Sequence, residues 1–263
     1  MSGRDCGTFD FQQGWLVRAD RAQRGAFRSR TRFVIVAAMS NPPDLLILAA
    51  HAPELLGLGP HLSEPLAGTI EGVRVSCATV GVGLPIAGSG AMRHLRDVRP
   101  RAVVLLGSCG LYPSAAAFEP LIPVVPSAVR AIDPNVLAGY AAFPPPMQTR
   151  TECHLELANG LARVEAGCVC GDVATTLSIT TDDAQAASMG RQSGCCAENL
   201  EAFSVALACA ALAVPFACVL IATNEVGSRG REQWFKHQRA AADRGAQWLL
   251  AWLRQGALGL PAR

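Results

Sequence analysis

The chain has 263 residues, half of them hydrophobic and 17% charged, which is enough for one α/β domain with a complete core. Its formal net charge is only +2, so charge gives no indication of a nucleic-acid partner. The longest apolar run, residues 205–222, is broken at Pro215 and divides into a helix and a strand, which argues against a membrane span.

The amino-terminal part differs in composition from the rest of the chain. Residues 1–38 contain seven arginines and three aspartates and show no periodic apolar face. We therefore expect residues 1–43 to be a leader that is disordered, or that is not translated because synthesis starts at Met39. An arginine-rich targeting peptide is the alternative, although the apolar run at residues 33–39 is short for a signal core. The folded domain is expected over residues 44–263.

The first half of this domain alternates between apolar strands and helices. Each predicted strand ends at a small-residue or polar turn and feeds a helix or a loop, a pattern that indicates a mostly parallel sheet with helices on both faces. The strands are predicted at residues 45–50, 72–80 and 102–106, and helices follow the first two, the second at residues 85–96.

The second half begins with a proline-rich excursion over residues 112–146, in which we expect one strand at residues 121–125. Pro215 separates a predicted buried helix from a predicted buried strand. The remaining predictions are two strands within residues 163–179, a helix at 182–192 capped by Asp182 or Asp183, the helix at 198–213, the strand at 216–222, and an amphipathic helix at 231–253.

The ten cysteines have no zinc-like spacing. Cys195 and Cys196 are adjacent, and Cys168 is separated from Cys170 by a single residue, one short of the redox spacing. Most of the others lie inside apolar runs. We expect free, buried thiols in a reducing compartment.

Polar residues with catalytic potential follow several of the predicted strands. Glu54 follows the first strand, Ser108 the third, and Asn224 the last, so all three are expected at the crevice beyond the carboxyl ends of a parallel sheet. Glu201 is predicted in the first turn of the helix at residues 198–213, where the helix dipole keeps a carboxylate ionised. The glycine turns at residues 81–83 and 107–110 match neither GxGxxG nor a P-loop, but they offer free backbone amides.

Two motifs then carry a resemblance to a known family. The sequence ENLEAF at residues 198–203 resembles E-x-M-E-G-F, and NEVGSR at residues 224–229, followed by Trp234, resembles S-N-x-V-G-x-R…W. Together with the order of strands and turns, these motifs resemble the nucleoside phosphorylase/nucleosidase superfamily, and within it the futalosine hydrolases of the menaquinone pathway.

The resemblance implies a three-layer α/β/α domain with a mostly parallel mixed sheet that cleaves the N-glycosidic bond of a purine nucleoside. It assigns Glu54 to activation of the attacking water and Glu201 to the ribose hydroxyls, and it places Asn224 where adenine-specific nucleosidases have an aspartate. Further substrate-binding residues are expected at Val82, Ser108, Cys109, Gly110 and Leu200, with Ser178 and Ile179 against the base. We expect no cofactor and no metal, and a cytoplasmic homo-oligomer without nucleic-acid or membrane partners.

The identity of Asn224 bears on the base. A 6-oxopurine presents a ring nitrogen and a carbonyl oxygen as adjacent acceptors, and an amide donates to them without a change of charge, whereas a carboxylate must first be protonated. Asn224 therefore favours a hypoxanthine-like over an adenine-like base. The leading prediction is hydrolysis of a futalosine-like nucleoside with release of hypoxanthine.

Two alternatives stay open. The first is a nucleosidase or phosphorylase acting on another nucleoside, such as methylthioadenosine or inosine. Phosphorolysis needs cationic contacts to a dianion, and neither glycine turn contains an arginine, which favours water as the nucleophile. The family also has an arginine four residues before the Asn224 position, where this chain has Leu220. The second alternative is an inactive nucleoside-binding protein on the same fold.

Overall fold

The computed structural model describes residues 42–113 and 118–262. Within these residues, ten strands form one mixed sheet. The strands are β1 (Leu45–Ala49), β2 (Ala67–Ile70), β3 (Val73–Thr79), β4 (Ala102–Leu111), β5 (Pro123–Val124), β6 (Ala128–Ala131), β7 (Arg150–Glu152), β8 (Val173–Thr175), β9 (Ala197–Asn199) and β10 (Phe216–Glu225).

Helices cover the sheet. The longest, α6, packs against β10, β4 and the 3₁₀ helix Ala52–His61, whereas α1 packs against α5. This arrangement confirms the predicted three-layer α/β/α architecture. The helices are α1 (Leu84–Val98), α2 (Pro134–Leu137), α3 (Leu155–Ala162), α4 (Asp183–Ser193), α5 (Ala202–Ala211) and α6 (Gly230–Arg254).

The centre of the sheet is β4, and the two edges of this strand are paired differently. On one edge β10 runs parallel to it from Val103 to Leu111. On the other edge β1 pairs only with residues 102–105, and β9 joins antiparallel at Gly110 and Leu111. The segment between Leu105 and Gly110 is therefore flanked by β1 and β9 without pairing to either. This break in the sheet creates a crevice at the carboxyl ends of the parallel strands, the usual ligand site of open α/β sheets.

The central strands are apolar along most of their length because helices cover both faces of the sheet. Every residue of β1 is fully buried, as are residues 217–222 of β10, and continuous apolar runs of this kind are typical of buried parallel strands. On α6, Trp248 and Trp252 are buried, and the Trp248 indole donates to the Leu161 carbonyl at 2.9 Å. The amphipathic helix predicted at residues 231–253 is thus confirmed.

Three predicted boundaries near the crevice are wrong. The helix predicted from residue 198 begins only at Ala202, because Asn199 Oδ1 accepts from the backbone N–H groups of Glu201 and Ala202, at 2.8 Å each, and so ends β9 in a tight turn. Residues 107–110 are not a turn: β4 continues through them to Leu111, paired with β10. Asn224 lies within β10, after an irregularity between Ala222 and Asn224, and not beyond the strand.

The excursion over residues 112–146 contains the predicted strand, as β5, and in addition β6 and α2, which were not predicted. Of the two strands expected within residues 163–179, only β8 is present, and β2, β6 and β7 were not predicted. Helix α4 is capped by Asp182, whose carboxylate accepts from the Gln185 N–H at 2.7 Å. The predicted leader lies outside the described residues, apart from Pro42 and Pro43.

Two further properties concern the described part of the chain only. None of its helices combines the length and the apolar character needed to cross a bilayer. Its nine cysteines are all free thiols, and seven of them are buried.

Candidate active site

The crevice beside β4 brings together two carboxylates and a backbone N–H group from three places in the chain. Glu54 enters from the 3₁₀ helix that follows β1, Gly83 lies just after β3, and Glu201 stands at the N-cap of α5. These positions are far apart in sequence, but they adjoin in space because β3, β1 and β4 are neighbours in the sheet.

The two oxygens of Glu54 have different environments. Oε2 accepts from the backbone N–H groups of Ala50 at 3.0 Å and His51 at 3.3 Å. Oε1 accepts no hydrogen bond from the described residues and lies beside Gly107, where a Cβ atom would be 3.6 Å from it. One oxygen is therefore anchored, and the other is available to accept a hydrogen bond from a ligand or a water.

His51 is a member of this site that the sequence analysis did not identify. Its Nδ1 lies 3.0 Å from Glu54 Oε2, and this contact raises the pKa of the imidazole. The available signal was the spacing, since a helix N-cap and a glutamate three residues later commonly interact.

Glu201 is only 6% exposed, and its Oε1 accepts from the Gly83 N–H at 2.9 Å. Burial raises the pKa of its carboxyl to about 7, and the charge of Glu54 acts in the same direction. The Gly83 N–H, the Asn199 side chain and the charge of His51 act in the opposite direction. The carboxylates of Glu54 and Glu201 thus belong to one electrostatic site.

The amide of Asn224 has a defined orientation. Its Nδ2 donates to the Glu225 carbonyl at 3.0 Å, and its Oδ1 accepts from the Thr223 hydroxyl at 2.8 Å. Because a carbonyl oxygen can only accept, the nitrogen must be the atom beside Glu225. The second N–H of the same nitrogen is free of these contacts and can donate to a ligand.

Two glycines leave room for this amide. A Cβ atom at Gly110 would lie 2.7 Å from Asn224 Nδ2 and 2.8 Å from Val226 Cγ2, and a Cβ atom at Gly230 would lie 3.1 Å from the same nitrogen. Gly110 is directly opposite Asn224 in the pairing of β4 with β10. The position is therefore restricted to glycine by the amide that it faces.

We expect Gly110→Ala to lower kcat/KM by about 10²-fold, because displacement of a ligand-orienting group by about 1 Å has an effect of this size. Nucleoside turnover by the purified variant measures it. Gly59→Ala is the matched control, since a Cβ atom there meets nothing within 4 Å. Equal activity of Gly110→Ala and wild type would show that the position of the Asn224 amide is unimportant.

A pocket of about 310 Å³ opens from the crevice and runs between the 3₁₀ helix and α6. Ser108 is part of its wall, and its hydroxyl accepts from the Trp234 indole N–H at 3.3 Å. Around the pocket, α6 contributes aromatic and charged side chains. Its lining includes His51, Glu54, Gly107, Ser108, Trp234 and Arg239.

Asn224 and Glu201 are not part of the lining of this pocket. Asn224 is paired with Gly110, three residues beyond Gly107 along β4, which corresponds to roughly 10 Å of strand.

The other predicted substrate-binding residues lie elsewhere. The Cys109 side chain is buried in the core, near Cys196, so only its backbone faces the crevice region. Four other predicted residues do not line the pocket. Leu200 is half-buried, and Val82, Ser178 and Ile179 are exposed.

Glu198, which opens the ENLEAF motif, is held by hydrogen bonds within the protein. Its carboxylate accepts from the Tyr112 hydroxyl at 3.0 Å and from the Thr180 N–H and hydroxyl at 3.0 and 2.7 Å. These bonds fix the segment that contains Ser178 and Ile179, and Glu198 has no contact with the pocket.

Comparisons with known proteins agree with this fold. The family model described as the phosphorylase superfamily matches residues 32–254. A search among proteins of curated function finds no significant match.

Solved structures superpose over most of the chain. The 5'-methylthioadenosine/S-adenosylhomocysteine nucleosidase of Neisseria meningitidis, bound to methylthio-immucillin-A, has a TM-score of 0.71 at 17% identity, and the match covers 80% of this chain and 98% of that one. A mutant futalosine hydrolase of Helicobacter pylori has a TM-score of 0.72 at 15% identity, with the same coverage. The corresponding nucleosidase of Streptococcus pneumoniae, bound to 8-aminoadenine, reaches 0.70 at 20% identity, again with that coverage.

The structural neighbours are too distant in sequence to indicate more than the fold, but the family model extends over most of the chain, including every strand of the sheet and the residues of the crevice. The predicted family is therefore confirmed: the chain belongs to the phosphorylase superfamily.

Proposed function

We propose that this protein hydrolyses the N-glycosidic bond of a 6-oxopurine nucleoside of the futalosine type and releases hypoxanthine. Superfamily membership and the nucleosidases among its structural neighbours support cleavage of a nucleoside N-glycosidic bond. The choice of base rests mainly on one observation, the Asn224 amide, whose nitrogen is held as a donor by the Glu225 carbonyl.

The carboxylates supply the chemistry at the sugar. Glycosidic cleavage passes through an oxocarbenium-like transition state, in which positive charge develops on the ribose. Ionised Glu201, held by the Gly83 N–H, stabilises that charge and orients the ribose hydroxyls. Glu54 accepts a proton from the attacking water through its free Oε1, while its Oε2 remains bound to the backbone.

The amide supplies recognition of the base. Its free N–H donates to the ring nitrogen or the carbonyl oxygen of a 6-oxopurine and stabilises negative charge on the leaving base without a change in its own charge. An adenine-like base has an amino group, which is a donor, where a 6-oxopurine has an acceptor oxygen. The Asn224 N–H is also a donor, so the two groups cannot pair with each other.

The pocket beyond the sugar supports a nucleoside whose ribose carries a substituent. It extends away from Glu54 along α6, with an aromatic wall at Trp234 and a guanidinium at Arg239. Unmodified inosine leaves this space unfilled, which favours a larger substrate.

Water is the proposed nucleophile because neither the glycine segments nor β10 places a cationic side chain beside Glu54. The glycine segments of the described crevice contain no arginine, and the strand position nearest Glu54 on β10 is the buried, apolar Leu220. A phosphate dianion needs charge-assisted contacts that these residues lack.

The direct test is product analysis. Purified protein is incubated with futalosine, inosine and methylthioadenosine, each with and without phosphate, and the free bases and sugars are separated by chromatography. The proposal predicts hypoxanthine and unphosphorylated sugar from futalosine at a rate independent of phosphate. Release of adenine alone, formation of a sugar 1-phosphate, or binding without turnover would each contradict it.

We expect Asn224→Asp to move the preference towards adenine nucleosides. A carboxyl at this position serves an adenine ring only when it carries a proton, so activity on methylthioadenosine should increase at acidic pH, while kcat/KM for futalosine falls about 10- to 100-fold. The measurement is the ratio of kcat/KM for the two nucleosides between pH 5 and 8. A ratio equal to that of wild type would show that Asn224 does not contact the base.

A further inference from the structure

The site contains an electrostatic conflict. Glu54 and Glu201 are both buried, and the charge of Glu54 raises the pKa of Glu201. The proposed function requires both as carboxylates at the same time, one to accept a proton and one to stabilise a cationic sugar. A nearby cation would resolve the conflict.

The strand beside Glu54 does not provide this cation. A Cβ atom placed on Gly107 would lie 3.5 Å from Leu220 Cδ2 and 3.6 Å from Glu54 Oε1, so Leu220 and Glu54 both approach this glycine. The Leu220 side chain is fully buried and apolar, so β10 presents a methyl group to the glutamate where a cationic side chain could have been.

His51 is placed to supply the charge instead. Its Nδ1 is buried, has no well-oriented hydrogen-bond partner among the described residues, and lies 3.0 Å from Glu54 Oε2. The ring is itself part of the pocket wall, and its pKa is raised by Glu54 first and also by Glu201. The other charged residues of the pocket, Arg239 and Asp243, belong to α6 and form no ion pair among the described residues.

On the basis of the proposed function, we infer that His51 is a positioning residue that acts as an imidazolium on the Glu54–Glu201 pair. Its charge lowers the pKa of Glu201 and so favours the carboxylate form that the reaction needs, and its contact with Oε2 leaves Oε1 directed at the pocket. His51 itself neither gives nor takes the proton of the reaction.

The test compares His51→Ala and His51→Gln with wild type over pH 5 to 9, with His61→Ala as the control, because His61 is an exposed histidine on the same 3₁₀ helix. In wild type, kcat/KM should rise with pH through about 7, as Glu201 ionises, and then stay level. In both variants this rise should move up by about one pH unit, with about a fivefold loss of kcat/KM at neutral pH and near wild-type activity at pH 9. Added imidazole should restore part of the activity of His51→Ala.

A second readout does not depend on turnover. In an NMR titration of the wild type, the His51 ring signals should report a pKa above the ordinary 6.5, and Glu54→Gln should lower it by about one unit. If wild type hydrolyses no nucleoside but this shift is present, the proposed function fails while the charge coupling stands. If the shift is absent, or if the pH profiles of the His51 variants superpose on that of wild type, the inference is wrong.

Discussion

Glu54→Gln is expected to lower kcat for nucleoside hydrolysis by about 10³-fold, within the range found for loss of a general base. The amide is isosteric with the carboxylate and can still contact the backbone at Ala50 and His51, but it cannot accept a proton from water. Because the loss concerns proton transfer, KM should change much less than kcat. Steady-state kinetics with a 6-oxopurine nucleoside measure both quantities.

The matched control is Glu64→Gln, which neutralises an exposed carboxylate shortly after the same 3₁₀ helix. It should retain the activity of wild type. A Glu54→Gln enzyme with more than about a tenth of wild-type kcat would contradict a role for this residue as general base.

Glu201→Gln is expected to lower kcat/KM by about 10²- to 10³-fold, since it removes the fixed negative charge beside the developing sugar cation. Glutamine keeps an oxygen that can accept from the Gly83 N–H, so the geometry is preserved while the charge is lost. Wild-type kcat/KM should also rise with pH through about 7, the pKa to which burial raises this carboxyl.

The same substitution should change the dependence of stability on pH. A carboxyl whose pKa is raised on folding contributes stability that is complete below its ordinary pKa of 4.5 and is lost as pH rises through about 7. The stability of wild type relative to Glu201→Gln should therefore fall by about 3 kcal/mol between pH 4 and pH 8. Urea denaturation at the two pH values measures this difference, and a constant difference would show that Glu201 does not titrate abnormally.

The central strands could be predicted from sequence because β1 and the first parts of β4 and β10 are apolar on both faces, whereas polar and apolar residues alternate at the start of β3. β1, β3 and the first halves of β4 and β10 are where these patterns place them. Their carboxyl ends were misplaced because glycines and polar residues near the crevice have low strand propensity, although pairing between β4 and β10 holds them extended. The strand segments whose residues have low strand propensity are thus the ones that lie at the candidate site.

The short strands were missed for a different reason. β6 and β7 pair residues such as Ala128 and Glu152, which are 24 positions apart, so their stability depends on contacts that no local window of sequence contains. β7 has only three residues and no apolar run.

The site was predictable in its main residues and not in its details. Glu54 was predicted at the crevice because it follows the first strand, and Glu201 because it belongs to the ENLEAF motif. Cys109 was expected at the substrate from the resemblance, and residues 107–110 continue β4. In a strand, neighbouring side chains alternate between faces, and Ser108 accordingly lines the pocket while Cys109 enters the core. The role proposed for His51 depends on a distance that sequence does not provide.

The most direct test of this account is a crystal structure of Glu54→Gln with an uncleaved 6-oxopurine nucleoside. The account predicts the ribose hydroxyls against the Glu201 carboxylate, the Asn224 amide nitrogen within hydrogen-bonding distance of the base, and a water between the side chain at position 54 and the anomeric carbon. A nucleoside bound elsewhere, or bound with its base remote from Asn224, would contradict it.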